Sequence, residues 1–313
     1  MIRRRRLLSI AAAAALVPAR PGHATAISQW RGVALGADAS ITLAHPDAER
    51  IIELARAEIA RMEAIFSLHQ PGSALALLNA QGRLHAPPFE LLDCLGLAAR
   101  VHAATGGVFD PTVQPLWALH AAHYAGAAEP GAPSSAAVAE TRVRTGWHRL
   151  RLDPDDIRLQ PGMALTLNGI AQGYIADRVA RLLRGMGLEQ VLVNTGEHLA
   201  LGGDPRGGPW QVRLRAGGEL LPGAVALEGA ALASSAMRGT TFDAAGRQGH
   251  ILDPATGRPG PAHWQLVSVI APEAGLADAL STAFCLMGRP AIERALRAFP
   301  TARLAALVPQ RPA

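Results

Sequence analysis

Met163 to Gly196 reads MALTLNGIAQGYIADRVARLLRGMGLEQVLVNTG, and the periods within it decide the fold class. An apolar strand is expected over Leu165 to Leu167, followed by a turn that holds Gly169 and Gly173. Ile170, Tyr174, Ile175, Val179, Leu182 and Leu183 recur at three- and four-residue intervals and predict a helix. Gln190 to Asn194 is a second short apolar strand. Strand, glycine turn, helix, strand is the plan of a phosphate site, because the first amides of a helix lack internal partners and glycine lets a ligand approach the backbone. Glycines at such turns also serve packing, so the stretch alone leaves ligand and structure both open.

Outward from this unit, helices and strands interleave without a strict βαβ order. Toward the N-terminus, Gln29 to Leu43 has a strand pattern that Gly36 interrupts, as a bulge would. Ile51, Ile52, Leu54, Ala55, Ile59, Met62, Ile65 and Phe66 form the apolar face of a helix. Ser73 caps a short helix through Asn79, and Pro88 starts another that Thr105-Gly-Gly107 stops. Asp110-Pro111 is a rigid turn between Phe109 and Trp117, and residues 148–160 read as a hairpin. Toward the C-terminus come short strands, including Gly249 to Asp253 and Trp264 to Ile270. A helix over Glu273 to Met287, one over Ala291 to Phe299 and a strand over Leu304 to Val308 complete the chain. This order predicts a single domain of mixed α/β or α+β class, with mixed sheets flanked by helices.

Residues 1–26 read as an export signal, with four consecutive arginines, an apolar run from Leu7 to Val17 and small residues at Ala24-Thr25-Ala26. The run is too short to span a bilayer, and the arginines before Leu7 and Leu8 resemble a twin-arginine signal. An ordinary secretory signal is the alternative. The expected mature domain is 27–313, periplasmic and not membrane-spanning. Without the leader the chain loses five arginines and no acid, leaving 25 basic and 25 acidic residues. Net charge therefore gives no reason to expect a nucleic-acid partner. No lysine occurs anywhere, which excludes Schiff-base chemistry and the lysine of a Walker-type phosphate loop. Cys94 and Cys285 sit in apolar helical contexts and read as buried free thiols.

Three groups of residues carry candidate chemistry. Asp278 and Thr282 lie four apart, hence on one helix face. Either the acid occupies an exposed first turn while the threonine bonds its own backbone, or both are oxygen ligands of a hard cation such as magnesium. His250 opens an apolar strand, where it is either structural or a base toward a hydroxyl. Ser234 and Ser235 end a strand and can bond phosphate or ribose, or simply terminate pairing.

Taken together, these segments resemble the ApbE family, the FAD:protein FMN transferases. The likeness rests on Leu35-Gly36-Ala37, Ser67 through Leu78-Asn79, Thr105-Gly-Gly-Val-Phe-Asp-Pro-Thr-Val-Gln-Pro-Leu116, Asn168-Gly-Ile-Ala-Gln-Gly-Tyr-Ile-Ala-Asp177, His250-Ile-Leu-Asp-Pro-Ala-Thr-Gly257 and Asp278-Ala-Leu-Ser-Thr282, all in the family's order. The resemblance implies an ApbE-like domain that uses Mg2+ to split FAD, release AMP and esterify FMN to a threonine or serine of an acceptor protein. It assigns the metal to Gly169, Asp278 and Thr282, and FAD contacts to Leu35, His69, Asn79, Phe109, Asp110, Gln172 and Ile251. We read His250 as the residue that activates the acceptor hydroxyl. Three positions depart from the family pattern: Thr166 stands at a usually acidic position, Gln172 at a lysine or glutamate position, and Gly196-Glu-His198 where Gly-Gly-Asp is usual. They resemble the branch associated with nitrous-oxide reductase maturation, which implies a membrane flavoprotein with a periplasmic domain as acceptor. An FAD pyrophosphatase using water as acceptor and a non-catalytic FAD carrier are the competing readings.

Overall fold

Apolar residues two apart along the central strands set the two faces of the sheet. The computed structural model describes residues 26–126 and 131–310. Seven strands form its main sheet: β1 (Ile27–Ala34), β2 (Ala37–Ala44), β3 (Val191–Asn194), β4 (His198–Leu201), β5 (Ala231–Ser235), β6 (Trp264–Ala271) and β7 (Arg303–Pro309). They lie side by side in chain order, and each neighbouring pair is antiparallel. Val191, Val193, Leu199, Leu201, Ala231, Ala233, Val267 and Val269 enter the main core. Leu192, Ala200, Leu232 and Ile270 point the other way and join a smaller cluster with Trp210, Val212 and Leu227.

Helices fill the long connections. Between β2 and β3 run α1 (Ala48–Phe66), α2 (Ala74–Gln81), α3 (Phe89–Ala104), α4 (Gln114–Gly126), α5 (Ser135–Arg142) and α6 (Ala171–Gly185). Between β6 and β7 run α7 (Ala274–Phe284) and α8 (Arg289–Leu296). Ser73 caps α2 as expected, its hydroxyl accepting from Ala76 N–H at 3.1 Å. Helix α7 is the central one: ten of its eleven residues are buried, so a polar side chain on it must find partners inside the protein.

Helix α6 supplies the close contact that places α7. A Cβ on Gly173 would lie 2.2 Å from the Ala274 carbonyl oxygen, so only glycine permits this approach. One helical turn on, Asp177 accepts Ala274 N–H at 2.7 Å and Gly275 N–H at 2.8 Å, capping α7 from a different helix. Burial pushes the Asp177 carboxyl up to about 7 despite these two bonds.

The observed fold differs from the expected one at several points. The single strand expected over Gln29 to Leu43 is a hairpin. Leu35 and Gly36 form its turn with φ of 46° and 81°, and Glu63 Oε1 fixes it by accepting Leu35 N–H at 2.7 Å. Leu165 to Leu167 forms no strand; a side chain replaces the partner. Asn79 accepts Leu165 N–H at 2.7 Å and donates to the Leu165 carbonyl at 2.8 Å. His250 lies in a bend, and the expected Gly249 to Asp253 strand is reduced to an isolated bridge from Gly249 to Thr241 and the short strand Leu252–Asp253. Arg83–His85, unmarked in the sequence reading, joins the 151–158 hairpin as a third strand. Both cysteines are buried and free. The expected leader, residues 1–26, falls outside the described residues except for its last position, and no helix among them is long and apolar enough to cross a membrane.

Replacing Asp177 by alanine leaves two buried helix-start N–H groups unsatisfied and should cost roughly 2–5 kcal/mol of stability. The folded carboxyl keeps its proton to about pH 7, whereas the unfolded chain loses it near 3.8. The proton-linked part of its stability is therefore complete below the lower value and lost as pH rises through the upper one. Denaturant melts at several pH values should show the wild-type advantage over Asp177→Ala shrinking from about pH 4 to about pH 7. An advantage that grows over this window would contradict the assignment.

Candidate active site

The α6–α7 contact opens onto a cleft of about 1210 Å³ between the helix layer, the ends of the central strands and the 236–254 segment. Ordinary small-ligand pockets hold about 300–1,000 Å³, so this one has room for a ligand beyond drug size. Its wall includes Phe109, Asp110, Thr166, Asn168, Gly169, Gln172, Glu197, His198, Ser234, Ser235, His250, Ile251, Asp278 and Thr282.

The structure brings the three expected metal residues together. Asp278 stands on α7, only 3% exposed, and one of its oxygens accepts Gly173 N–H at 3.2 Å. No cationic side chain among the described residues compensates it. Burial, then the field of Asp177, push its carboxyl up to about 7. The exposed first-turn alternative is thereby overturned, since the acid is interior and lies past the first turn. Thr282 lies one turn further, and its hydroxyl meets Ser235 Oγ at 3.3 Å. Gly169 packs against it so closely that a Cβ there would sit 3.0 Å from Thr282 Oγ1. A buried carboxylate without a counter-ion, beside a hydroxyl and a backbone segment, fits a hard cation that takes oxygen ligands. No cluster of three His, Cys, Asp or Glu side chains gathers among the described residues, so a zinc-type donor set is not formed by them.

His250 faces the same cleft with its tautomer set. Nδ1 lies 2.9 Å from the Thr240 carbonyl, which can only accept, so Nδ1 carries the proton and Nε2 keeps a free lone pair. Burial lowers its pKa, opposed by the Thr240 bond, so the ring is neutral near pH 7.

The remaining expected contacts divide into two groups. Phe109, Asp110, Gln172 and Ile251 line the cleft. Asp110 Oδ1 accepts Thr112 N–H at 2.8 Å and the Thr112 hydroxyl at 2.7 Å, which fixes the Asp-Pro turn. Gln172 is held beside Gly196, where a Cβ would come within 2.7 Å of its Oε1. Leu35, His69 and Asn79 do not line the cleft: the first is the hairpin turn, the second donates its N–H to Ser67 Oγ at 3.1 Å, and the third clamps Leu165. Ser234 and Ser235 bond serines of β6 and α7, Ser268 at 2.7 Å and Ser281 at 2.8 Å. Two wall residues lay outside the expected set. His198 is a half-buried histidine whose pKa is lowered to about 4 by loss of hydration, and Glu197 is a buried carboxyl. Their only signal in the sequence is the Gly196-Glu-His198 departure.

A buried oxygen-ligand cluster beside a neutral imidazole, in a large cleft on an antiparallel sheet, is the outline of a group-transfer enzyme. The model of the ApbE family matches residues 35–307. The FAD:protein FMN transferase of Treponema pallidum (strain Nichols) is 31% identical over 267 residues, covering 77% of this chain and 72% of its own. The enzyme of that name from Escherichia coli (strain K12) is 28% identical over 282 residues, covering 85% and 80%. The crystal structure of the ApbE protein from Thermotoga maritima superposes with a TM-score of 0.79 at 25% identity, over 91% of this chain and 97% of that one. The chain belongs to the ApbE family, and it is a transferase.

Gly169→Ala tests whether Thr282 shares a cation with its neighbours. The added Cβ meets the Thr282 side chain at 2.9–3.0 Å and displaces its hydroxyl. The fold should survive at a cost of about 1–3 kcal/mol. Divalent-cation affinity, read by calorimetry, should fall at least about tenfold, equivalent to about 1.4 kcal/mol. Unchanged affinity would remove Thr282 from the ligand set.

Proposed function

We propose that this protein is a Mg2+-dependent FAD:protein FMN transferase that moves FMN from FAD to a threonine or serine of an acceptor protein and releases AMP. The observation that carries this reading is that Gly169, Asp278, Thr282 and His250 line one cleft, with the three oxygen-bearing residues compact and the histidine tautomer set for accepting a proton. Bound by Asp278, Thr282 and the Gly169 backbone, Mg2+ would neutralise charge on the diphosphate.

The chain's own residues have distinct tasks in that reaction. Phe109 and Ile251 offer apolar wall for the flavin, while Asp110 and Gln172 offer polar contacts without a positive charge. His250 Nε2 takes the proton of the acceptor hydroxyl as its oxygen attacks the FMN-side phosphorus. One phosphorus–oxygen ester bond forms, the bond to the bridging diphosphate oxygen breaks, and AMP departs with that oxygen. The proton then leaves His250 for AMP or solvent. Residues 1–26 supply an export signal of twin-arginine type, so the reaction is assigned to the periplasm. The pattern at Thr166, Gln172 and Gly196-Glu-His198 favours the branch linked to nitrous-oxide reductase maturation, whose acceptor is a membrane flavoprotein with a periplasmic domain.

Purified protein incubated with FAD, Mg2+ and an acceptor domain bearing the target threonine should give acceptor carrying the mass of FMN, together with AMP. FMN and AMP without modified acceptor would instead indicate a pyrophosphatase, and intact FAD a carrier. Asp278→Ala, or removal of the cation with a chelator, should abolish product while circular dichroism stays unchanged. His250→Ala should slow transfer by about 10²–10⁴-fold, the usual contribution of a general base, with FAD binding retained. Because burial lowers the His250 pKa, the acid limb of the kcat/KM profile should lie below pH 6.5.

A further inference from the structure

Glu197 is a buried acid that the reaction described above does not use. It is 8% exposed, immediately precedes β4 and lines the cleft. Its Oε2 accepts Ser234 N–H at 2.9 Å, and Oε1 has no partner among the described residues. A carboxylate this deep ordinarily has a cation or several donors, and one backbone amide is a poor substitute for hydration.

Its position follows from a closed ring of contacts. Ser234, bonded to Glu197, adjoins Ser235, whose hydroxyl meets Thr282 at 3.3 Å. One turn back along α7 is Asp278, which accepts from Gly173 at 3.2 Å. Gly173 adjoins Gln172, whose carbonyl accepts the Thr195 hydroxyl at 2.7 Å, and Thr195 precedes Glu197 by two residues. The ring therefore holds two buried carboxyls and no basic side chain. Both carboxyls are buried in the wall of one cleft, and neither has a cationic partner among the described residues. Two such groups are satisfied together by a shared proton or by a shared cation. The ring already contains the hydroxyl and carboxylate of the cation site, which favours the cation.

We propose that Glu197 supplies a second carboxylate to the cation site formed by Gly169, Asp278 and Thr282. The proposal rests on the transferase reading for the existence of that site. It makes the site doubly anionic, so the cation is held by two carboxylates before the substrate enters.

The test is calorimetric titration of Mg2+, and separately Mn2+, into the full protein without FAD. Glu197→Gln keeps the size and the Ser234 bond but removes the charge, and should weaken cation binding at least about tenfold. In chelator its melting temperature should equal or exceed that of wild type, because a like-charge contact is gone. Should the variant fail to fold, infrared difference spectra of wild type and Asp278→Asn on adding Mg2+ replace it. A carboxylate band that still shifts in Asp278→Asn at saturating Mg2+ supports Glu197 as ligand, and cation binding without a shift overturns it. Wild-type affinity in Glu197→Gln, with FMN transfer intact in the wild-type protein, sinks this proposal alone. A wild-type protein that binds FAD but neither cation overturns the transferase reading along with it.

Discussion

The contact between α6 and α7 is the constraint on which the rest of the site depends. Two features make it: the absence of a side chain at Gly173, which lets the Ala274 carbonyl in, and the Asp177 carboxyl, which holds the first amides of α7. Neither residue needs to touch substrate. Together they fix the distance and rotation of α7, and hence bring Asp278 and Thr282 over the Gly169 turn. The expectation that helix-start amides in this unit cradle phosphate takes a different form in the molecule. The amides of α7 are occupied by Asp177, and the first turn of α6 spends Gly173 N–H on Asp278.

The antiparallel order of the sheet explains how distant segments converge. With strands adjacent in chain order, each long connection leaves and returns at neighbouring positions, so helices gather on one face and loops at the strand ends. The Asn168 to Gln172 turn, the 194–198 link between β3 and β4, the end of β5 and α7 all reach the cleft. Stability and function share residues here: Ser235 ends a strand and also sets the Thr282 hydroxyl.

Much of this was legible in the chain. Helical periodicity marked α1 and α6, the Ser73 cap marked α2, Pro88 and the Thr105-Gly-Gly107 stop bounded α3, and four-residue spacing placed Asp278 and Thr282 on one face. The misreadings have local causes. Leu35 adopts a left-handed conformation that leucine rarely takes, so no turn signal marked the β1–β2 hairpin beyond Gly36. Leu165 to Leu167 has strand composition, but its partner is the amide side chain of Asn79, which no periodicity reveals. Glu197 stood in the link after the Gln190 to Asn194 strand, which gave no sign of burial, because its environment is made by residues far along the chain.

The Thr240 carbonyl accepts both the backbone N–H of His250, at 3.2 Å, and its ring Nδ1, at 2.9 Å. A neutral oxygen fixes the tautomer of the ring, yet it offers little countercharge to an imidazolium. Any proton gained at Nε2 thus creates an ion in a setting that already disfavours it. In the reaction proposed above, His250 would be a way station with a short dwell time: a proton lifted off a hydroxyl would have to be passed on before the next acceptor could be served.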